Sequence, residues 1–211
     1  MKKFLQKISD TLREQKLLYL LVLLFFCIGV VIGVYTVMYM EETDRNDLTS
    51  YFNSYITGFG VNSADYGKLL ITVLKKNILL IVPIVLLSFT FFGSPFILII
   101  DFIKGFSLGY TFTFILCTFN GRGLGLAAIS IIPQNIIYIP CLIILSVIGL
   151  YLSSTIFKEK FFKHQIISKL EILKSSKNLF IIVLGLFLLG VLIETYVSPN
   201  IIKFVVNKFY N

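Results

Sequence analysis

The chain has 211 residues, 57% of them hydrophobic and only 14% charged, with a mean hydropathy of +0.90. A soluble domain is nearer half apolar and a quarter charged, so the composition excludes an ordinary soluble fold and predicts an all-α, polytopic integral membrane protein. The net charge of +8 reads as basic residues gathered in cytoplasmic loops rather than as a nucleic-acid-binding surface.

Residues 1–16 carry Lys2, Lys3, Lys7, Arg13 and Lys16, and Leu17–Met40 follows without a charge. The length of that run and the lack of a small-residue cleavage site predict a retained first span, 17–40, not a cleaved signal peptide. Four further apolar segments, 78–92, 96–119, 123–157 and 179–198, bring the expectation to five spans in one membrane domain. Segment 78–92 is short, about 22 Å at the helical rise against a hydrocarbon core roughly 30 Å thick. Extending it back to Gly67 brings in Lys68, Lys75, Lys76 and Asn77, which must then snorkel or face a polar cleft.

Lysine and arginine set the orientation. With the N-terminus inside, the inner segments hold twelve: the five N-terminal cations, Lys104, and Lys158, Lys160, Lys163, Lys169, Lys174 and Lys177. The outer segments hold seven: Arg45, Lys68, Lys75, Lys76, Arg122, Lys203 and Lys208. This predicts an inside N-terminus, an outer loop 41–77, a basic cytoplasmic loop 158–177 and an outer tail 199–211. In the outer loop Leu48, Tyr51, Phe52, Tyr55, Ile56 and Phe59 recur at helical spacing, an amphipathic face suited to the membrane interface or to a partner.

Gly123–Phe157 is too long for one untilted crossing, and it contains Pro133 and Pro140 around the amide pair Gln134 and Asn135. Each proline removes a backbone donor and frees a carbonyl, near residues 129 and 136. The two amides can supply partners at that place. The expectation is a fourth span bent or broken at these prolines and packed against neighbours, with a transport site in a discontinuous helix as the alternative.

Other polar residues inside the spans predict contacts between helices. Asp101 and Lys104 are three apart, so they share a helix face and can neutralise each other. Gly105 and Gly109, like Gly29 and Gly33, have the small-xxx-small spacing that lets another helix approach. Glu194 in the fifth span, near the outer face, either snorkels to water without a partner or pairs with a cation on the same side. Arg122 is the preferred partner because its planar fork matches both carboxylate oxygens, with Lys75 and Lys76 as alternatives. Cys27, Cys117 and Cys141 all lie in apolar runs and read as small buried hydrophobes.

Nothing in the sequence is spaced for catalysis. His164 is the only histidine and lies in a basic loop, and no His, Cys and carboxylate cluster has metal-ligand spacing. The glycine-rich run Asn120–Gly125 lacks a P-loop lysine and reads as a turn. The expectation is no catalytic residue, no cofactor, no metal and no enzymatic activity.

Three short motifs in order, "FIKGFSLGYT" (Phe102–Thr111), "IIPQNIIYIP" (Ile131–Pro140) and "LIETYVSP" (Leu192–Pro199), resemble the stage II sporulation protein M family of integral membrane proteins. The number of spans and the length fit as well, while the outer loop and the tail match nothing. The resemblance implies a scaffold in the mother-cell membrane at the sporulation septum. Its implied partners are the peptidoglycan-remodelling stage II sporulation proteins D and P, which thin septal wall during engulfment. The lipid bilayer is the other partner, nucleic acid is not one, and homo-oligomerisation stays open.

Overall fold

The computed structural model describes residues 16–61, 66–118, 120–162 and 169–200, without the side chains of 52–61, 120–130, 159, 161–162 and 169–180. The described residues form helices α1 (Lys16–Met38), α2 (Glu42–Val61), α3 (Tyr66–Ser88), α4 (Gly93–Thr118), α5 (Asn120–Phe162) and α6 (Lys169–Leu192), with no strand among them. A π-helical turn, Ile193–Val197, comes directly after α6. Five stretches are long and apolar enough to cross a membrane: α1, α3, α4, Ile131–Lys158 of α5 and Ile181–Asn200. The all-α, five-span expectation holds.

The second span starts earlier than the apolar run that announced it. α3 begins at Tyr66 and carries Lys68, Lys75, Lys76 and Asn77 within the helix, so residues 66–77 belong to a span and not to a loop. Its other end is earlier too, because the apolar residues after Ser88 make a turn. The Gly93 N–H donates to the Thr90 carbonyl at 3.3 Å, and a Cβ at Gly93 would strike the Leu87 carbonyl oxygen. Ser153 of α5 pins this turn: its Oγ donates to the Thr90 carbonyl at 2.9 Å and accepts from the Ser94 N–H at 2.9 Å. That N–H is one of the first-turn donors that a helix cannot satisfy internally.

α1 packs chiefly on α4 through two pairs of glycines. A Cβ on Gly29 or Gly33 would strike the carbonyls of Phe102 and Phe106, and one on Gly105 or Gly109 would strike those of Phe26 and Val30. The backbones therefore meet with no side chain between them, the use expected of small residues where helix association rests on close packing. Past the end of α1, Arg45 donates through Nη2 at 3.1 Å to the Val37 carbonyl, which also accepts from the Met40 N–H at 3.3 Å in the closing turn. Leu48 of α2 packs on the cluster of Val37, Phe114, Ile115 and Ile131. Tyr51 is 74% exposed, so Leu48 and Tyr51 do not form one buried face. Phe52, Tyr55, Ile56 and Phe59 lie outside the described side chains.

α5 is the central helix: 61% of its apolar span is buried, against 17–33% in the other four. Tyr138, Leu142, Leu145, Val147 and Leu150 face Ile84, Ile97, Val183 and Phe187 in the main core. Pro133 and Pro140 both lie inside one unbroken helix. Neither proline breaks the helix, and Pro140 is exposed on the bundle surface rather than packed against a neighbour. Cys141 and Cys117 are buried or half-buried as expected, whereas Cys27 is exposed on α1.

Candidate functional site

Four elements bring polar side chains together, from the bundle interior at Asn77 and Tyr138 out to its surface at Lys76. α3 supplies Lys76 and Asn77, α4 supplies Lys104, α5 supplies Tyr138, and the π-helical turn supplies Glu194. The Asn77 amide donates to the Tyr138 hydroxyl at 3.0 Å and to Glu194 Oε2 at 3.4 Å. Lys76 Nζ is 4.0 Å from Glu194 Oε1, and Lys104 Nζ lies 5.9 Å from the centroid of the Tyr138 ring. Each of these groups would be costly alone in a low-dielectric interior; together they supply one another's partners.

Tyr138 is the hub because its surroundings fix the ring. It is buried, with the Phe187 ring 4.8 Å away between centroids. A Cβ at Gly190 would collide with it, so that glycine makes the room. The backbone at Glu194 is shaped by the proline five residues later. Pro199 cannot donate to the carbonyl four residues back. The N–H before it, on Ser198, reaches five residues back to Ile193, widening the helix into a π turn.

Glu194 thus takes Lys76, which the sequence ranked behind Arg122; the Arg122 side chain lies outside the described residues. The predicted pairing of Asp101 with Lys104 is not formed. Asp101 is fully buried and accepts from Ser146 Oγ at 2.7 Å through Oδ1, while Oδ2 has no hydrogen-bond partner. Residues three apart share a helix face only approximately, and here α5 approaches at Asp101 with a hydroxyl and at Lys104 with an aromatic ring.

The amide pair is also used differently from expectation. Asn135 donates to the Ile131 carbonyl at 2.7 Å, not to a carbonyl freed by a proline. Gln134 Oε1 accepts from Ser198 Oγ at 3.1 Å and so ties α5 to the last span just before Pro199. Nearby, the Tyr66 hydroxyl donates to Asn200 Oδ1 at 3.0 Å and its ring stacks on Tyr196 at 5.6 Å, closing α3 onto the same end. Gln134 with Ser198, and Tyr66 with Asn200 and Tyr196, tie the end of the last span to α5 and α3. Sequence reasoning missed Tyr138, Ser146, Ser153 and Ser198. Single hydroxyls in apolar runs look like ordinary span residues, whereas Lys75-Lys76-Asn77 inside an apolar segment was a visible signal.

Among the described residues no group of three His, Cys, Asp or Glu side chains could hold a metal ion. His164 lies outside them.

The profile of the family described as stage II sporulation protein M matches residues 22–199, from the first span through the proline after the π-helical turn. The chain belongs to the stage II sporulation protein M family. No curated protein and no solved structure matches it. A member of the stage II sporulation protein M family with five apolar helices is a multi-pass membrane protein of a sporulation-related kind. The polar cluster lies wholly inside the matched region.

Proposed function

We propose that this chain is a non-enzymatic membrane scaffold of sporulation engulfment. It would hold extracytoplasmic peptidoglycan-degrading proteins, the stage II sporulation proteins D and P, at the septum in the mother-cell membrane. The observation that carries this reading is the family match over residues 22–199, which takes in the whole bundle and not one motif. The internal contacts agree with it. Asn77, Tyr138, Glu194, Gln134 and Ser198 join helices to one another, which suits a rigid platform.

The orientation proposed is N-terminus inside. Lys75, Lys76 and Lys104 lie within helices α3 and α4, so they leave the loop count. Lys68 leaves it as well, being in the first turn of α3, and the remaining contrast is eleven basic residues inside against four outside, wider than twelve against seven. Labelling of Lys163→Cys from outside intact cells tests it; reaction there reverses the topology.

Affinity purification from sporulating cells tests the scaffold. Recovery of the two wall-degrading proteins with the membrane protein is expected, and their absence from a stable, correctly localised preparation counts against the reading. A second reading, a small channel or transporter, is favoured by the ionisable cluster of Lys76, Lys104 and Glu194. α5 runs unbroken, which removes the discontinuous helix on which that reading leaned. Ion flux through proteoliposomes, abolished by Lys104→Met, would establish it.

A further inference from the structure

The cluster has more cation than anion. Within the five candidate spans the carboxylates are Asp101 and Glu194. Asp101 is fully buried on Ser146, so Glu194 alone faces Lys76 and Lys104. Lys75 adds a third cation and has no hydrogen-bond or ion-pair partner among the described residues.

Lys75 and Lys76 are also misplaced for a lipid-facing surface. Both are exposed, Lys76 with 72% of its side chain open although it touches Glu194. They interrupt an apolar outward stripe of α3 formed by Ile71, Leu79, Val82 and Leu86. Lys76 is about 15 Å along the helix from Tyr66 and about 18 Å from Ser88, so it is near mid-span whichever way the helix crosses. Ammonium groups at that depth are far from headgroups and demand a counter-charge.

We propose that this stripe of α3 is a docking face for the membrane-spanning helix of a partner protein, and that Lys75 and Lys76 receive a carboxylate carried within that helix. Depth selects the occupant, since a lipid phosphate stays near the interface while a transmembrane helix delivers an acid at any level. A second copy of this chain does not fit: Asp101 is enclosed and Glu194 is engaged. Ile71, Leu79, Val82 and Leu86 supply the apolar contact, and the lysines select the partner by charge. The inference deepens the scaffold reading and rests on it for the partner's identity, giving recruitment a route through the bilayer.

The test uses the full chain in phosphatidylcholine proteoliposomes and a synthetic transmembrane helix of about twenty Leu and Ala residues. One version has a single central Glu and the other Gln, and association is read by energy transfer between labels. The Glu helix is expected to associate roughly three- to tenfold more tightly than the Gln helix. Lys75→Leu, which removes no contact within the protein, should shrink that preference, and Lys75→Leu with Lys76→Leu should erase it. The corresponding Arg variants should keep it. Equal association of the two helices, or a preference that survives the double Leu variant, overturns the proposal. So does loss of the preference on adding phosphatidylglycerol, which would assign the lysines to anionic lipid. No wall-degrading protein is present in this assay, so its failure and a failed co-purification are distinguishable.

Discussion

Lys76 and Glu194 face each other at 4.0 Å across the junction of α3 and the π-helical turn, with the Asn77 amide donating to the same carboxylate. One oxygen is thus served by an ammonium and the other by an amide. Glu194→Gln keeps an acceptor for Asn77 and should be tolerated; Glu194→Ala leaves the Asn77 amide half-satisfied and should cost about 1–3 kcal/mol. A double-mutant cycle of Glu194→Gln with Lys76→Met, read by thermal unfolding in detergent, should show coupling above about 0.5 kcal/mol. Additive effects would reduce the contact to mere proximity.

The glycine seam between α1 and α4 predicts a steep, local sensitivity. Gly33→Val or Gly105→Val must push carbonyl-bearing backbone aside, and either should lower the melting temperature or prevent assembly. Gly185 is the control, because nothing lies within 4 Å of a Cβ there. Gly185→Ala should be neutral or stabilising by up to about 1 kcal/mol through helix propensity. Equal losses at all three positions would mean that glycine content, and not the seam, governs stability.

Ser198→Ala should remove the donor to Gln134 while leaving the apolar packing intact. Hydrogen bonds between membrane helices average about 0.6 kcal/mol, so a loss of that order is expected. Accessibility of a cysteine introduced at Asn200 should rise as the end of the span loosens. An unchanged accessibility would show that the stacking of Tyr66 on Tyr196 holds this end by itself.

Pro140 is exposed and lies within an uninterrupted helix. Replacing it by Leu restores a backbone donor for the Ile136 carbonyl and removes the ring clash, so Pro140→Leu should keep or raise thermal stability. A marked drop in stability would show that the proline shapes α5 in a way its surface position hides.

The membrane class, the number of spans and the family were legible in the sequence, because each rests on signals contained within one segment. Apolar length meets bilayer thickness whatever the neighbours do, and the spacing of Gly29, Gly33, Gly105 and Gly109 marks a face before its partner is known. The start of α3 was less legible. Lys75, Lys76 and Asn77 break an apolar run by hydropathy, yet a helix tolerates them where other helices bring Tyr138 and Glu194 alongside. Which polar group meets which was decided by the tertiary structure alone. Asp101 turned to Ser146, Gln134 to Ser198 and Glu194 to Lys76. Each choice depends on how far α5 sits from its neighbours and on its rotation about its own axis. Packing over the whole bundle sets those quantities, and no single segment records them.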